Sequence, residues 1–313
     1  MPVNRDAASH RPVHVHLVDG TYELFRHYYA VPKEPNDLGL EIGATRGVIT
    51  SMIGLLESGA THVGVATDHV IESFRNELWP DYKDGSGIEP ELYAQFGILE
   101  DALEALGVTV WAMERYEADD ALAAAARLAA ADETVSQVLI CTPDKDLAQC
   151  VRGKRVVQVD RRRRATIDEE GVIAKFGVPP RSIPDWLALV GDSADGYPGV
   201  PGWGAKSAAT VLQRYEKLDA IPSYAASWEV AVRGAQRLAD NLRTNREQAL
   251  LFRHLATLAE DAPVGSDWRD WEWTGPKPGF VEMCERLVAA DLPARVVALE
   301  RRTVGQTDRD AHL

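Results

Sequence analysis

Asp19, Asp68, Glu117, Asp119, Asp120, Asp144 and Asp146 recur at or just after the ends of four short apolar runs, VHVHLVD, THVGVATD, VTVWAM and SQVLICT. A single aspartate after a strand is ordinarily a helix cap or a turn former. Seven carboxylates from four strand ends are different, because in a shared crevice they repel one another and only bound cations make the cluster tolerable. Every donor is a carboxylate oxygen, and no His or Cys stands at ligand spacing, which suits hard ions such as Mg²⁺ or Mn²⁺. Asp192 and Asp195, three apart in GDSAD, join the set and share a face if that turn is helical. Two such ions a few ångströms apart are the usual arrangement for phosphodiester hydrolysis, where they stabilise the attacking and leaving oxygens of an in-line displacement.

Alternating strand and helix patterns must position these acids. The strand VHVHLVDG ends at Asp19, a helix follows through GATRGVITSMIGLLESG, and the strand THVGVATD ends at Asp68. Next come the helix QFGILEDALEALGV, the strand VTVWAM, the alanine-rich helix of ERYEADDALAAAARLAAA and the strand SQVLICT, which runs into PDKDLAQCV. The alternation predicts an α/β fold with a mostly parallel central sheet flanked by helices. In such a sheet, ligands gather outside the carboxyl ends of the strands. From about Pro184 the pattern becomes helices joined by glycine-rich turns and stays largely helical to about Arg302. The expected organisation is a disordered N-terminus over 1–12, an α/β domain over 13–183, a helical region over 184–302 and a tail over 303–313. APVGSDWRDWEWTGPKPG reads as a loop or edge element.

The 313 residues carry 34 Lys and Arg against 48 Asp and Glu, a net charge of −14. Taken alone, that argues against nucleic acid as a partner, since its binders usually show a basic footprint. Nine of the carboxylates, however, sit in the motifs above, and setting them aside leaves −5. The acidity is concentrated where metal would neutralise it. No apolar run approaches the ~20 residues of a membrane span. Three cysteines without a CxxC pair make neither a zinc site nor a disulfide framework. The start, MPVNRDAASHRP, has no apolar signal core, so a cytoplasmic location is expected.

HLVDGTYELFR, FRNELWPDYK, RYEADDALA, CTPDKDLAQ and GDSADGYPGVPGWGAKSAA, in this order and spacing, resemble the 5′ nuclease (flap endonuclease) family, and most closely the 5′-3′ exonuclease domain of bacterial DNA polymerase I. The likeness covers residues 13 to 260. It implies a metal-dependent nuclease of replication and repair that cleaves 5′ flaps and trims 5′ ends of branched DNA. It also implies that Asp19, Asp68, Glu117 and Asp119 surround a first ion with Asp120 beside them, and that Asp144, Asp146 and Asp192 surround a second with Asp195 nearby. The segment 192–215 resembles the family's helix-hairpin-helix (helix-three-turn-helix) element, which grips duplex DNA and often holds a K⁺ ion. Gly202 and Gly204 would let amides approach a phosphate there, with Lys206 reaching the same backbone. Residues 74–93 match the family's helical arch or clamp. Arg75 and Lys83 match its basic residues, and Lys83 resembles the lysine that contacts the scissile phosphate. Ser86 stands where the family usually has arginine, and Gly196 where it usually has asparagine. Arg26 and Arg46 match basic positions near the entrance to the site. The run Arg161–Arg164 is the densest basic patch and reads as a solvated hairpin tip.

Two other readings compete. A branched-DNA-binding protein with little catalysis is compatible with the altered arch, but a pure binder gains nothing from nine carboxylates facing a polyanion. A ribonuclease with a related acidic α/β site would lack the helix-hairpin-helix turn.

Overall fold

The computed structural model describes residues 12–310, with side chains as far as Arg301; the expected disordered N-terminus lies outside the described residues apart from residue 12. Six strands form one sheet in the order β3-β2-β1-β4-β5-β6: β1 Val13–Asp19, β2 His62–Asp68, β3 Thr109–Met113, β4 Val135–Cys141, β5 Val156–Asp160 and β6 Ala165–Ile167. All neighbours are parallel except β5 and β6, an antiparallel hairpin at one edge. The central strands are Val- and Ile-rich because helices cover both faces. Val15 and Leu17 of β1 and Val138 and Ile140 of β4 are fully buried beneath α6 (Ala118–Ala130), whose alanines let it lie close to the sheet. The opposite face carries α1 (Gly20–Ala30), α2 (Gly43–Glu57) and α5 (Gln95–Leu106).

Two helices, not one, connect β1 to β2. The first, α1, is rich in aromatic residues of modest helix propensity, and it forms because Asp19 caps it and its Leu24 and Tyr28 are buried. Residues 74–93, expected as an arch or clamp, are helical at their two ends. Only α3 (Phe74–Leu78) and α4 (Pro90–Tyr93) are helical, and the stretch between them, interrupted by Pro80, Gly85 and Gly87, is irregular. We call this segment the strap.

The chain continues through α7 (Glu169–Phe176) into a helical region with its own apolar cluster: α8 (Ile183–Val190), α9 (Ala205–Tyr215), α10 (Ala235–Thr244) and α11 (Arg246–Ala256). It then returns to the sheet. The tryptophan-rich segment is an edge element: Trp268 lies against His62, Trp271 packs edge-on to Trp111, and the Trp273 amide donates to the Thr61 carbonyl at 2.7 Å. Two final helices, α12 (Phe280–Arg286) and α13 (Leu292–Asp310), cover α5 and α2. The last of them runs on to Asp310, past the expected end of helix near Arg302.

Candidate active site

The carboxyl ends of β1, β2 and β4, and the turn after β3, bring the acids to one rim of the sheet. Asp19 caps α1, accepting from the Tyr22 amide at 2.8 Å and from the Thr142 hydroxyl at 2.9 Å. Asp68 reaches across to the start of α6 and accepts from the Ala118 amide at 2.8 Å. Glu117 precedes the same helix; it accepts from Ser73 at 2.8 Å and faces the Lys83 ammonium at 2.6 Å. Asp144 is exposed, and its Oδ1 accepts from the Asp146 amide at 2.9 Å, turning Asp146 inward.

Asp192 and Asp195 come together by another route than the expected helical spacing. Residues 193–196 form a tight turn closed by paired hydrogen bonds between Asp192 and Tyr197, at 2.8 and 3.0 Å, with Asp192 also accepting from the Ala194 amide. This turn places both next to Asp146, so that oxygens of Asp146, Asp192 and Asp195 all lie within 4.8 Å of one another. Asp146 is buried and its Oδ1 has no hydrogen-bond partner. Three converging carboxylates with an orphaned buried oxygen fit a hard divalent cation.

Burial and mutual repulsion hold most of these acids above the ordinary carboxylate range. Burial pushes Asp19 up to about 7, with the nearby Asp68 and Asp144 adding to the effect, and pushes Asp195 up to about 6 against the opposing Lys83. Burial, then Asp144 and other acids, raise Asp119 and Asp146 well above the ordinary carboxylate range, and burial raises Asp68. Glu117 goes the other way: burial alone would raise it, but Lys83 and Arg75 hold it at about 2.

Lys83 sits between the acids assigned to the two ions, 2.6 Å from Glu117 and 3.5 Å from Asp195, with its backbone amide donating to the Asp195 carbonyl. The strap is docked on the 192–197 turn at this point. Trp79 donates to the Gly196 carbonyl at 3.1 Å, and a Cβ on Gly196, whose φ is +83°, would lie 1.9 Å from the Asp81 carbonyl oxygen. Asparagine tolerates that backbone region, but its side chain would collide with the strap. Lys145, which sequence reasoning missed although it lies between Asp144 and Asp146, pairs with Asp192.

Two expectations are corrected. Arg75 is 1% exposed and faces no open crevice: it bonds Asp120 with both terminal nitrogens at 2.7 Å, Glu117 at 2.8 Å, and the carbonyls of Leu255 and Thr257 at 2.7 and 3.2 Å. Asp120 is fully buried, and its oxygens are taken by Arg75 and by the amides of Glu117 and Ala259. Arg75 is thus committed to internal partners rather than turned to an open crevice, and Asp120's oxygens are already taken. The pair braces the start of α6.

The remaining basic residues are scattered. Arg26 pairs with Glu23, and Arg46 with Glu34. Lys206 is exposed at the start of α9 beside a surface cavity of about 490 Å³ that Gly202, Gly204 and Arg233 also line. Gly202 adopts φ +83°, whereas Gly204 is extended and its amide is committed to Ser207 at 3.0 Å. Trp203 and Asn241 pin the turn, donating to the carbonyls of Leu238 and Pro201.

Comparison with known proteins places this architecture. Residues 14–177 match the model of the 5′-3′ exonuclease N-terminal resolvase-like domain, and residues 178–279 that of the 5′-3′ exonuclease C-terminal SAM fold. DNA polymerase I of Pseudomonas aeruginosa is 37% identical over 258 residues, 79% of this chain and 27% of that protein. The Bacillus caldotenax DNA polymerase I is 34% identical over 265 residues, 83% and 29% of the two chains. The chain thus spans little more than a quarter of the length of these relatives. Among solved structures, the T5 D15 protein crystallised with metal ions superposes with a TM-score of 0.64 at 20% identity, covering 93% of this chain and 98% of that one. Flap endonuclease-1 from Methanococcus jannaschii does so with 0.60 at 14% identity, covering 94% of each. With both family models matched in sequence order across most of its length, the chain belongs to the 5′-3′ exonuclease family.

Proposed function

We propose that the chain is a structure-specific 5′ nuclease that hydrolyses DNA phosphodiesters at 5′ flaps and 5′ ends using at least two divalent ions, Mg²⁺ or Mn²⁺. The observation that carries this reading is the convergence of Asp146, Asp192 and Asp195 within 4.8 Å, with one orphaned buried oxygen, beside a lysine that touches both acid groups. Asp19, Asp68, Glu117 and Asp119 hold one ion; Asp146, Asp192 and Asp195, with Asp144 beside them, hold the other. Bound there, the ions supply the positive charge that ionises a water and stabilises the oxygens of an in-line displacement.

The chain's own residues do the rest. Thr142 and Ser73 hold Asp19 and Glu117 in place through the hydrogen bonds given above. Lys83 offers its ammonium to the phosphoryl oxygens as negative charge develops on them, an interaction worth a few kcal/mol when desolvated. The glycine-rich turn between α8 and α9, with Lys206, binds duplex backbone at the end of a helix whose N-terminus favours an anion. A K⁺ ion held by carbonyl oxygens of this turn belongs to the same reading. Its support is the turn itself, pinned open to solvent by Trp203 and Asn241.

The test is to incubate the protein with 5′-labelled flap, nicked duplex, single-stranded DNA and RNA flap substrates, with Mg²⁺, Mn²⁺ or EDTA. Cleavage of flap DNA that requires the divalent ion and is abolished by Asp146→Asn is the expected result. Binding without cleavage under every condition would overturn catalysis, and cleavage confined to RNA would overturn the DNA assignment.

A further inference from the structure

The run Arg161–Arg164 takes no part in the acid cluster, but the topology puts it on the same rim. β5 is parallel to β4, so the turn that follows Asp160 emerges on the side where Asp19 and Asp144 lie. Gln158 of β5 donates to the Asp144 carbonyl at 2.6 Å, tying the two directly. The turn is held firmly. Asp160 accepts from the Arg163 amide at 2.9 Å, and Arg161 folds inward, donating to the Ser51 carbonyl at 3.0 Å and facing Glu23 at 3.6 Å.

Arg162, Arg163 and Arg164 are left exposed at the tip. Arg163 makes only a loose 3.7 Å contact with Asp160, and neither Arg162 nor Arg164 has an ion-pair partner among the described residues. Some exposed arginines are claimed by carboxylates, as Arg181 is by Glu216 and Arg214 by Glu229, while Arg115, Arg233, Arg237 and Arg286, none consecutive with another, stand without an ion pair among the described residues. Two unpaired guanidinium groups and a third only loosely held by Asp160, consecutive on one turn at the rim of the acid cluster, can turn to an outside anion.

Neighbouring cations extend the patch. Lys175 is exposed on α7, the helix that follows β6 after the single residue Asp168. The end of α7 rests on α9, where Gln213 donates to the Gly177 carbonyl at 2.8 Å. Lys206 lies seven residues, about two turns, ahead of Gln213 and shares that side of α9.

We propose that Arg162, Arg163 and Arg164 form a phosphate-backbone contact for duplex DNA on the edge of the sheet away from the strap, continuing a track that starts at Lys206 and passes Lys175. The inference rests on the nuclease reading above. Guanidinium groups suit phosphate oxygens, and a contact of this kind fixes the position of the duplex without reading its sequence.

The test compares wild type with the triple variant Arg162→Ser/Arg163→Ser/Arg164→Ser, which keeps the anchoring Arg161. Binding of fluorescent flap DNA is followed by anisotropy across a KCl series, with Ca²⁺ in place of Mg²⁺, using long and short duplex arms and single-stranded DNA. Each phosphate contact contributes about 0.9 to the slope of log affinity against log salt, so the triple variant should flatten that slope by about 2 to 3 on the long-arm substrate. A triple Lys variant at the same positions should retain the slope and so exclude misfolding as the cause. Unchanged slope and affinity in the Ser variant, with wild type binding normally, would overturn the role of the tip alone. An equal loss on single-stranded DNA would overturn the duplex assignment, and a wild type that binds no DNA would overturn the nuclease reading beneath it.

Discussion

Replacing Arg75 with methionine should destabilise the protein severely. The guanidinium is 1% exposed and makes five hydrogen bonds, three of them to the carboxylates of Asp120 and Glu117. Methionine fills similar volume but strands Asp120, which is fully buried and would keep only the amides of Glu117 and Ala259. Removing one partner of a buried ion pair typically costs about 3–5 kcal/mol, because the other charge is left uncompensated. In a protein of this size that corresponds to a fall in Tm on the order of 10 °C. Urea unfolding followed by circular dichroism in EDTA measures it without interference from bound ions. The double variant Arg75→Met/Asp120→Leu removes both charges and should recover at least about 1–2 kcal/mol relative to the single variant. Asp120→Asn should leave Mn²⁺ affinity close to wild type. An Arg75→Met protein within about 1 kcal/mol of wild type, or strict additivity in the double variant, would refute the bracing role.

Lys83→Ala should slow single-turnover cleavage of a flap by about 10²-fold with little loss of substrate affinity, and a rate within twofold of wild type would remove Lys83 from the chemistry. Gly196→Asn sets a side chain against the Asp81 carbonyl and should cost about 1–3 kcal/mol while making residues 79–89 more sensitive to limited proteolysis; no change in either would show that the strap does not need so close an approach. In EDTA, Asp19 at about 7 and Asp195 at about 6 hold protons that the unfolded chain sheds near pH 4, so stability should fall as pH rises from about 4 to 7. Divalent ions require the ionised carboxylates, so the rise in Tm on adding Mn²⁺ should be larger at pH 8 than at pH 5. A rise independent of pH would mean that these groups do not meet the ion.

The sheet and its acids were legible because a buried parallel strand is an apolar run with a defined end, and in four such runs the end is followed by carboxylates. What sequence could not separate was an acid that waits for an ion from one already satisfied. Asp119 and Asp120 are adjacent and chemically alike, yet only Asp120 meets an arginine 45 residues away in the chain. Arg75 was misread for the same reason, since a basic residue in a polar segment looks like a ligand contact until its burial is known. The three-residue spacing of Asp192 and Asp195 implies a shared face only if the segment is helical, and a closed turn achieves the same convergence. Between α3 and α4 a proline and two glycines keep the chain irregular, as the Gly/Pro punctuation of that stretch implies.

The segment 255–259 has a consequence for how this protein can be divided. It belongs to the second of the two family segments, yet its Leu255 and Thr257 carbonyls hold Arg75, its Ala259 amide holds Asp120, and Gln149 both donates to Ala256 and accepts from Leu258. Cutting the chain between the segments would unseat groups directly behind the metal acids. The two segments are therefore not interchangeable modules. A shortened form or chimera needs both of them from one source, since a foreign second half would have to present the same carbonyls and amide at the same register.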